Sequence, residues 1–420
     1  MTEKQLFKKI YEVSKALDRE VCVVGGYVRD ELLGLNKKKE IKKEVSRVQA
    51  AIEKDIIEGG EDLKIEEYRK KRDIDFVVLG FGIEFAREFD EKMKQSGSLV
   101  EFADFDTARY VMEDFEIEFA GARTEKYNNK SRKPEVSPAT LAEDLSRRDF
   151  TVNAMARKVL STKLGEIIDP YGGQKDLKNK ILKTPLDPDE TFSEDPLRMM
   201  RATRFASKLG LQIEAGTLKA MHENRSRLKI VSVERIQEEL VKLLSTEKPS
   251  VGLAILYQTK LLDEFLPEIA NLQGIELIYG QGHKDILWHT FQVIDNLSER
   301  TNKPWLRYTA LMHDVGKLGT KKFAKGRGWT FDMHEHLGRK LVRQIGKRLR
   351  MSKDDIEYVA KLVRWHQQPI QLMDEGITDS AVRRLVFNLG NDIDDLLKLC
   401  RSDITTGNPK KLARRLKNYD

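Results

Sequence analysis

The first nineteen residues set Leu6, Ile10, Val13 and Leu17 at helical spacing among lysines and glutamates, which predicts an amphipathic helix. The apolar run Val21–Val24 follows as a short buried strand. Gly25-Gly26 breaks it, and a helix is predicted from Tyr27 to Leu33. Ile74–Leu79 reads as a second strand, and Arg109–Met112 with Phe115–Phe119 as a hairpin pair. Between the first two strands Ile41, Val45, Val48 and Ile52 form one helical stripe in a field of Lys and Glu, closed by Gly59-Gly60. This predicts a charged helical hairpin over about 36–72, either a solvated decoration or an arm that binds RNA or a partner. From about Asp176 strand patterns end. Helical patterns then run to the last residue, with proline-containing breaks near 185–196, 249, 267, 304 and 369, and leave room for a tail domain beyond it. The class is α+β: a small mixed sheet first, then an all-α body.

A chain of 420 residues has room for two to four domains. The expected division is a head over 1–160, a helical neck over 161–280 and a last domain over 281–420 ending in a basic helix. At 34% charged and 40% hydrophobic residues the balance is that of a globular protein. The net charge of +7 and pI near 9.0 favour a polyanionic partner. Cys22 and Cys400, both in apolar context, argue against a disulfide framework and fit a reducing cytoplasm. No run approaches the length of a membrane span.

Chemistry enters at VCVVGGYVRD (21–30) and RDIDFVVLG (72–80). Strand side chains alternate, so Asp73 and Asp75 point the same way. Two carboxylates so close call for a cation, and oxygen-only ligation suits Mg²⁺. Gly25-Gly26 lets backbone N–H groups approach an anion at a helix start, with Arg29 one turn in to reach a phosphate. The Gly-Lys-Ser/Thr ending of a Walker loop is absent.

GGYVRD followed by RDIDFVVLG resembles the head of the class II CCA-adding tRNA nucleotidyltransferase and bacterial poly(A) polymerase family, with its polymerase-β-type fold. RRDFTVNAMA (147–156), DPYGGQKDL (169–177), SEDPLRMMRATRF (193–205) and SVERIQEEL (232–240) resemble the family's later motifs, in order. The 36–72 insert departs from the family's usual short loop. The resemblance implies two metals on Asp73 and Asp75. One acts on an RNA 3′-hydroxyl and the other on the triphosphate. It also implies a third carboxylate, Glu118 or, failing that, Glu116. Arg148 and Asp149 would hold ribose and phosphate, and the basic stretch Asn128–Pro138 would assist the switch between C and A. Asp195 and Arg198, three apart on a helix starting near Pro196, would read the exocyclic amino group and ring nitrogen that cytosine and adenine share. Substrates are thereby CTP, ATP and a tRNA 3′ end. The strand before Glu118 lacks the Gly-Arg/Lys-Arg-Phe character of the poly(A) branch, which favours CCA addition over a poly(A) polymerase. An enzyme adding only CC or only A is a further alternative.

Six of the seven histidines fall in the last third. MHDVGK (312–317), HEHLG (334–338), WHQQP (365–369) and CRSDIT (400–405) are similar to the HD phosphohydrolase domain. The resemblance implies one divalent metal on His289, His313, Asp314 and Asp403, and a second on His334 and His366, with His336 the alternative. Lys317 stands near enough to neutralise a phosphate. The implied chemistry is phosphodiester hydrolysis at a 2′,3′-cyclic phosphate or damaged RNA end. A hydrolase with a relic head and a non-catalytic RNA-binding protein are the competing classes. Intact Asp73, Asp75, Asp195 and Arg198 argue against both. Basic segments at 338–350 and 408–420 are candidate RNA contacts.

Overall fold

Strand β1 (Val21–Val24) is buried on both faces and anchors a seven-stranded sheet. The computed structural model describes residues 1–35, 71–126, 135–274, 276, 278, 285–370, 378–405 and 410. The expected insert hairpin, most of the 128–138 loop, His283 and nearly all of the 408–420 segment lie outside them.

The head comprises α1 (Glu3–Ala16), β1, α2 (Gly26–Leu32), β2 (Arg72–Val78), α3 (Gly82–Lys92), β3 (Ser98–Phe102), β4 (Thr107–Val111) and β5 (Phe115–Gly121). It continues through β6 (Arg123–Lys126), β7 (Glu135–Pro138), α4 (Leu141–Ser146), β8 (Ala156–Leu160), β9 (Lys163–Ile168) and α5 (Gly173–Lys178). The main sheet runs β3-β4-β5-β2-β1-β8-β9, while β6 and β7 pair apart from it. The β2–β5 pairing is parallel, and the other ladders of the main sheet are antiparallel.

Alternation divides the sheet into two faces. Val23, Ile74, Phe76, Phe119 and Ile117 pack with Leu6 and Ile10 of α1 and Phe85 and Phe89 of α3. A smaller cluster, Cys22, Val24, Val77, Leu145 and Ala156, forms on the other face. Thr2 caps α1 in a reciprocal capping box with Gln5, and Thr140 caps α4 in the same way with Glu143.

Two expectations change. The head runs to Asp187, because the boundary near 160 would cut the β8–β9 hairpin. The remainder, Pro188–Asp420, forms one compact unit. It is mainly helical, but strands do not vanish after Asp176. Lys322–Ala324 and Gly328–Thr330 form a hairpin, whose turn places Gly326 and Gly328 at φ 88 and 75. Helices of this unit that carry chemistry are α6 (Pro188–Glu194), α7 (Leu197–Leu209), α8 (Val233–Leu244), α9 (Ile286–Ser298) and α10 (Pro304–Met312). They continue as α11 (His334–Arg348), α12 (Lys353–Trp365), α13 (Asp379–Leu389) and α14 (Ile393–Asp403). Among the described residues no helix is long and apolar enough to cross a membrane, and both cysteines are buried free thiols.

Candidate active site and metal centre

The parallel register of β2 on β5 sets Asp73 beside Glu116 and Asp75 beside Glu118. Ile74, Phe76, Ile117 and Phe119 fill the core, so all four carboxylates emerge on the opposite face. Burial and then the like charges of Asp75 and Glu116 raise the Asp73 carboxyl above its ordinary range, with Arg109 opposing. Burial raises Glu118 too, against the pull of Arg109. Arg109 stands opposite Glu118 on β4 and lies 3.2 Å from Glu116 and 4.0 Å from Glu118. Sequence reading missed Arg109, because its position follows only from the β4–β5 register. Crowded, partly desolvated oxygen donors of one sign fit a hard divalent cation.

The glycine turn meets this face. Gly25 has φ 68 and ψ −128, and its N–H donates to Met155 O at 3.1 Å. A Cβ there would stand 2.9 Å from Arg148 Nη1 and 3.8 Å from Asp75 Oδ2. Arg148 thus lies over the turn, held by Asp144 at 3.4 Å, and its Nε is buried without a hydrogen-bond partner. Gly26 differs: the nearest atom to an added Cβ is Arg29 Nη2 at 3.5 Å. Gly25→Ala is therefore expected to combine backbone strain of about 1–3 kcal/mol with displacement of Arg148. It should lower both the melting temperature and the rate of nucleotide incorporation, the latter about 100-fold or more, roughly 3 kcal/mol. Gly26→Ala should leave the melting temperature within a few degrees of wild type in the same thermal scan.

Arg29 is buried beside the glycine turn. It is 4% exposed. Nη1 donates to Asn153 Oδ1 at 2.6 Å and Nε to Asp30 at 2.7 Å. One turn into α2, its position faces the 149–153 turn, so it braces the site. Asn153 Nδ2 in turn donates to Asp149 Oδ1 at 2.9 Å, which also accepts from Phe150 N–H at 2.9 Å. Asn153 was not singled out from sequence, although it lies inside the RRDFTVNAMA stretch.

Asp195 lies before α7 and not on it, in the break after α6, with Pro196 at the N-cap. Its Oδ1 accepts from Leu197 N–H at 3.2 Å, and its Oδ2 lies 3.5 Å from Arg235 of α8. Arg198 Nη1 lies 3.4 Å from Glu194. Arg235, unnoticed in the sequence, belongs to the SVERIQEEL stretch.

In the helical unit, helix ends bring six side chains together. His313 and His366 are the C-caps of α10 and α12, His334 opens α11, and Asp403 ends α14. Three of these histidines use Nδ1 on the carbonyl three residues back: His313 on Ala310 (2.7 Å), His334 on Phe331 (2.9 Å) and His366 on Val363 (2.7 Å). A carbonyl only accepts, so each Nδ1 carries the hydrogen, and wherever the ring is neutral its Nε2 presents a lone pair inward, as in His334 and His366, which burial holds below the ordinary imidazole range. His289 Nδ1 meets Thr405 Oγ1 at 2.9 Å and its Nε2 lies 2.9 Å from Asp403.

Two triads result, His289–His313–Asp403 and Asp314–His334–His366. Asp314 does not belong to the first set alone. Its Oδ2 is 3.3 Å from His313 Nε2, and its Oδ1 is 3.5 Å from His334 and 3.8 Å from His366, so it stands between the triads. His336 stays outside, 44% exposed. Lys317 Nζ is bonded to Asp314 at 2.6 Å and so already has a counter-ion.

Burial alone would lower His313, yet Asp314 and Asp403 carry it up to about 10. Burial and then the charge of His313 push His366 down to about 3. Against burial, His289 and His313 hold Asp403 below the usual carboxylate range. His313 Nε2 and Asp314 Oδ1 are buried with no hydrogen-bond partner, and the Nε2 atoms of His334 and His366 face each other at 3.3 Å. Facing lone pairs and orphaned acceptors fit a mixed N/O divalent site.

The family model "Poly A polymerase head domain" matches residues 21–183, "Probable RNA and SrmB- binding site of polymerase A" matches 210–273, and "HD domain" matches 286–400. The A-adding tRNA nucleotidyltransferase of Deinococcus radiodurans is 34% identical over 277 residues, 63% of this chain and 60% of that one. The Aquifex aeolicus A-adding enzyme is 31% identical, with 72% of this chain and 36% of that protein covered. The chain thus spans less than two thirds of these two relatives. The Multifunctional CCA protein of Vibrio vulnificus CMCP6 is 30% identical over 405 residues, 91% of this chain and 84% of that one. Among solved structures, a CCA-adding enzyme in apo form II superposes with a TM-score of 0.63 at 21% identity, covering 99% of this chain and 82% of that one. A tRNA nucleotidyltransferase complexed with a primer tRNA and an incoming ATP analog gives 0.62 at 22%, covering 98% and 97%. At that identity the two structures speak for the fold. On the long Vibrio match and the head, RNA-binding and HD matches in order, the chain belongs to the tRNA nucleotidyltransferase and poly(A) polymerase family.

Proposed function

We propose that the protein adds CCA to tRNA 3′ ends from CTP and ATP without a nucleic acid template, releasing pyrophosphate. The observation that carries this is the in-register quartet Asp73, Asp75, Glu116 and Glu118 beside the Gly25 turn. Mg²⁺ held by Asp73, Asp75 and Glu118 would supply activation of the 3′-hydroxyl and charge neutralisation at the triphosphate. The chain's own groups do the positioning. Gly25 keeps the backbone open, Arg148 lies over it for a phosphate, and Asp149 is oriented by Asn153 towards the ribose. Asp195, held by Arg235, accepts from the exocyclic amino group of C or A, and Arg198 donates to the ring nitrogen. Guanine and uracil reverse that donor–acceptor order and would leave both groups unpaired.

An A-adding enzyme is the second reading, favoured by the Deinococcus relative at 34% identity. The helical unit is proposed to hold one or two divalent metals and to hydrolyse phosphodiesters at RNA ends. His289, His313 and Asp403 form one ligand set and His334 and His366 the other, with Asp314 between them.

The deciding experiment incubates the protein with tRNA lacking CCA, or ending in CC, with Mg²⁺ and CTP and ATP singly and together. Sequenced 3′ ends stopping at CCA are expected. Extension only of the CC-ended tRNA gives the A-adding reading, and long A tails from ATP alone give a poly(A) polymerase.

A further inference from the structure

Helices α11 and α12 pack tightly on one side through glycines. A Cβ on Gly346 would meet Ile356 at 2.6 Å, and one on Gly338 would meet Val363 at 3.0 Å. Their outer side carries a recess of about 640 Å³, lined among others by His336, Arg339, Lys361, Arg364 and Trp365. That is room for a nucleotide-sized ligand.

Much of the positive charge of α11 is already used. Arg343 forms a two-point pair with Glu357 at 2.8 and 2.5 Å, Arg348 does so with Glu268 at 2.6 and 2.7 Å, and Arg350, just past its end, meets Glu234 at 2.9 Å. In the recess, Glu357 is therefore engaged, and Asp392 is bonded to Lys361. Asp354 lies in the first turn of α12, at the far end from Arg364. At the near end Arg339 is exposed and acts on Glu357, which Arg343 already engages, while Glu335 lies 3.8 Å from both Arg364 Nη1 and His336 Nε2. Arg364 stacks over the Trp365 ring at 5.0 Å. Arg339 and Arg364, whose neighbouring carboxylates Glu357 and Glu335 also face other cations, line one recess with an indole and offer a phosphate-and-base site. Glu335 also reaches His334 Nδ1 at 3.9 Å, and Trp365 directly precedes His366, so the recess borders the histidine cluster.

We propose that this outer groove of α11 and α12 binds single-stranded RNA, seating one nucleotide with its phosphate between Arg339 and Arg364 and Trp365 beside it. The choice of RNA rests on the reading of the protein as an enzyme acting on RNA ends.

The test measures binding of a fluorescent ten-nucleotide single-stranded RNA to the full chain across a salt series. Arg339→Glu is compared with the charge-matched Lys340→Glu on the neighbouring exposed position of the same helix. Arg339→Glu is expected to weaken binding about 5- to 10-fold more than Lys340→Glu and to make the salt slope shallower by roughly one phosphate contact. The tryptophan quench on RNA addition should shrink in Trp365→Phe. Equal effects of the two charge reversals, with an unchanged quench, overturn the groove as a site and leave only general electrostatics. Competition by free ATP or CTP as strong as by the RNA overturns a strand in favour of a free nucleotide. Displacement by poly-glutamate at equal charge concentration overturns it in favour of an acidic peptide. Nucleotide addition to tRNA, assayed on the same wild-type sample, reports separately on the parent reading: addition intact with no Arg339 effect sinks this proposal alone.

Discussion

Asp75→Ala is expected to cut nucleotide addition by at least about 10³-fold, roughly 4 kcal/mol of transition-state stabilisation, while the melting temperature of the metal-free protein holds or rises. The parallel β2–β5 register crowds four carboxylates on one face, and Asp73 is raised by burial, Asp75 and Glu116 in that order. A carboxyl whose folded pKa is raised contributes stability below its unfolded pKa, and that contribution is lost as pH rises through the folded value. At neutral pH the crowd is thus a cost of the folded head, and deleting one member relieves it. The same deletion removes a metal ligand, so Mg²⁺ should raise the wild-type melting temperature more than that of Asp75→Ala. Addition kinetics and thermal unfolding with and without Mg²⁺ decide the matter. Intact addition by Asp75→Ala would sink the assignment of this face as the active site.

His313→Ala should do the converse. It is expected to lower bound metal in the helical unit and abolish hydrolysis of a 2′,3′-cyclic nucleotide, with nucleotide addition within about twofold of wild type. His313 is fully buried, Nδ1-fixed by Ala310 and aimed at both Asp314 and Asp403. Its loss leaves two buried carboxylates short of their main counter-ion, and breaking such a group typically costs about 3–5 kcal/mol. His289→Ala, at the rim, removes a ligand with less damage and is the companion variant. Metal content of the purified protein and cyclic-nucleotide hydrolysis are the two readouts. Full hydrolysis by both variants, or loss of addition by His289→Ala, would contradict two separate centres.

Much of the chemistry is legible in the chain alone. Period-two alternation at Asp73 and Asp75 puts both carboxylates on one face, because a strand permits nothing else. Helical spacing at Leu6, Ile10 and Val13 identifies the buried side of α1. GGYVRD, RRDFTVNAMA and MHDVGK mark the stretches where chemistry gathers. Local rules fail where a side chain's partner comes from far along the chain. Nothing within its own helix shows that Arg29 meets Asn153 on the inner side. The boundary near 160 fails because the β8–β9 pairing continues a sheet begun at Val21, and strand order is set by distant pairings.

The sequence by itself determined α1, α2, β1, β2, β4 and β5 and the order of the motif stretches, since these depend on periodicity and short-range spacing. Only the tertiary structure decided which of them meet. It set Glu116 and Glu118 beside the aspartates, placed Arg109 across from Glu118, put Asp195 in the break before its helix and stood Asp314 between two histidine sets. Register and helix crossing fix those contacts, and both arise from burial of side chains far apart in the chain, which no local pattern encodes.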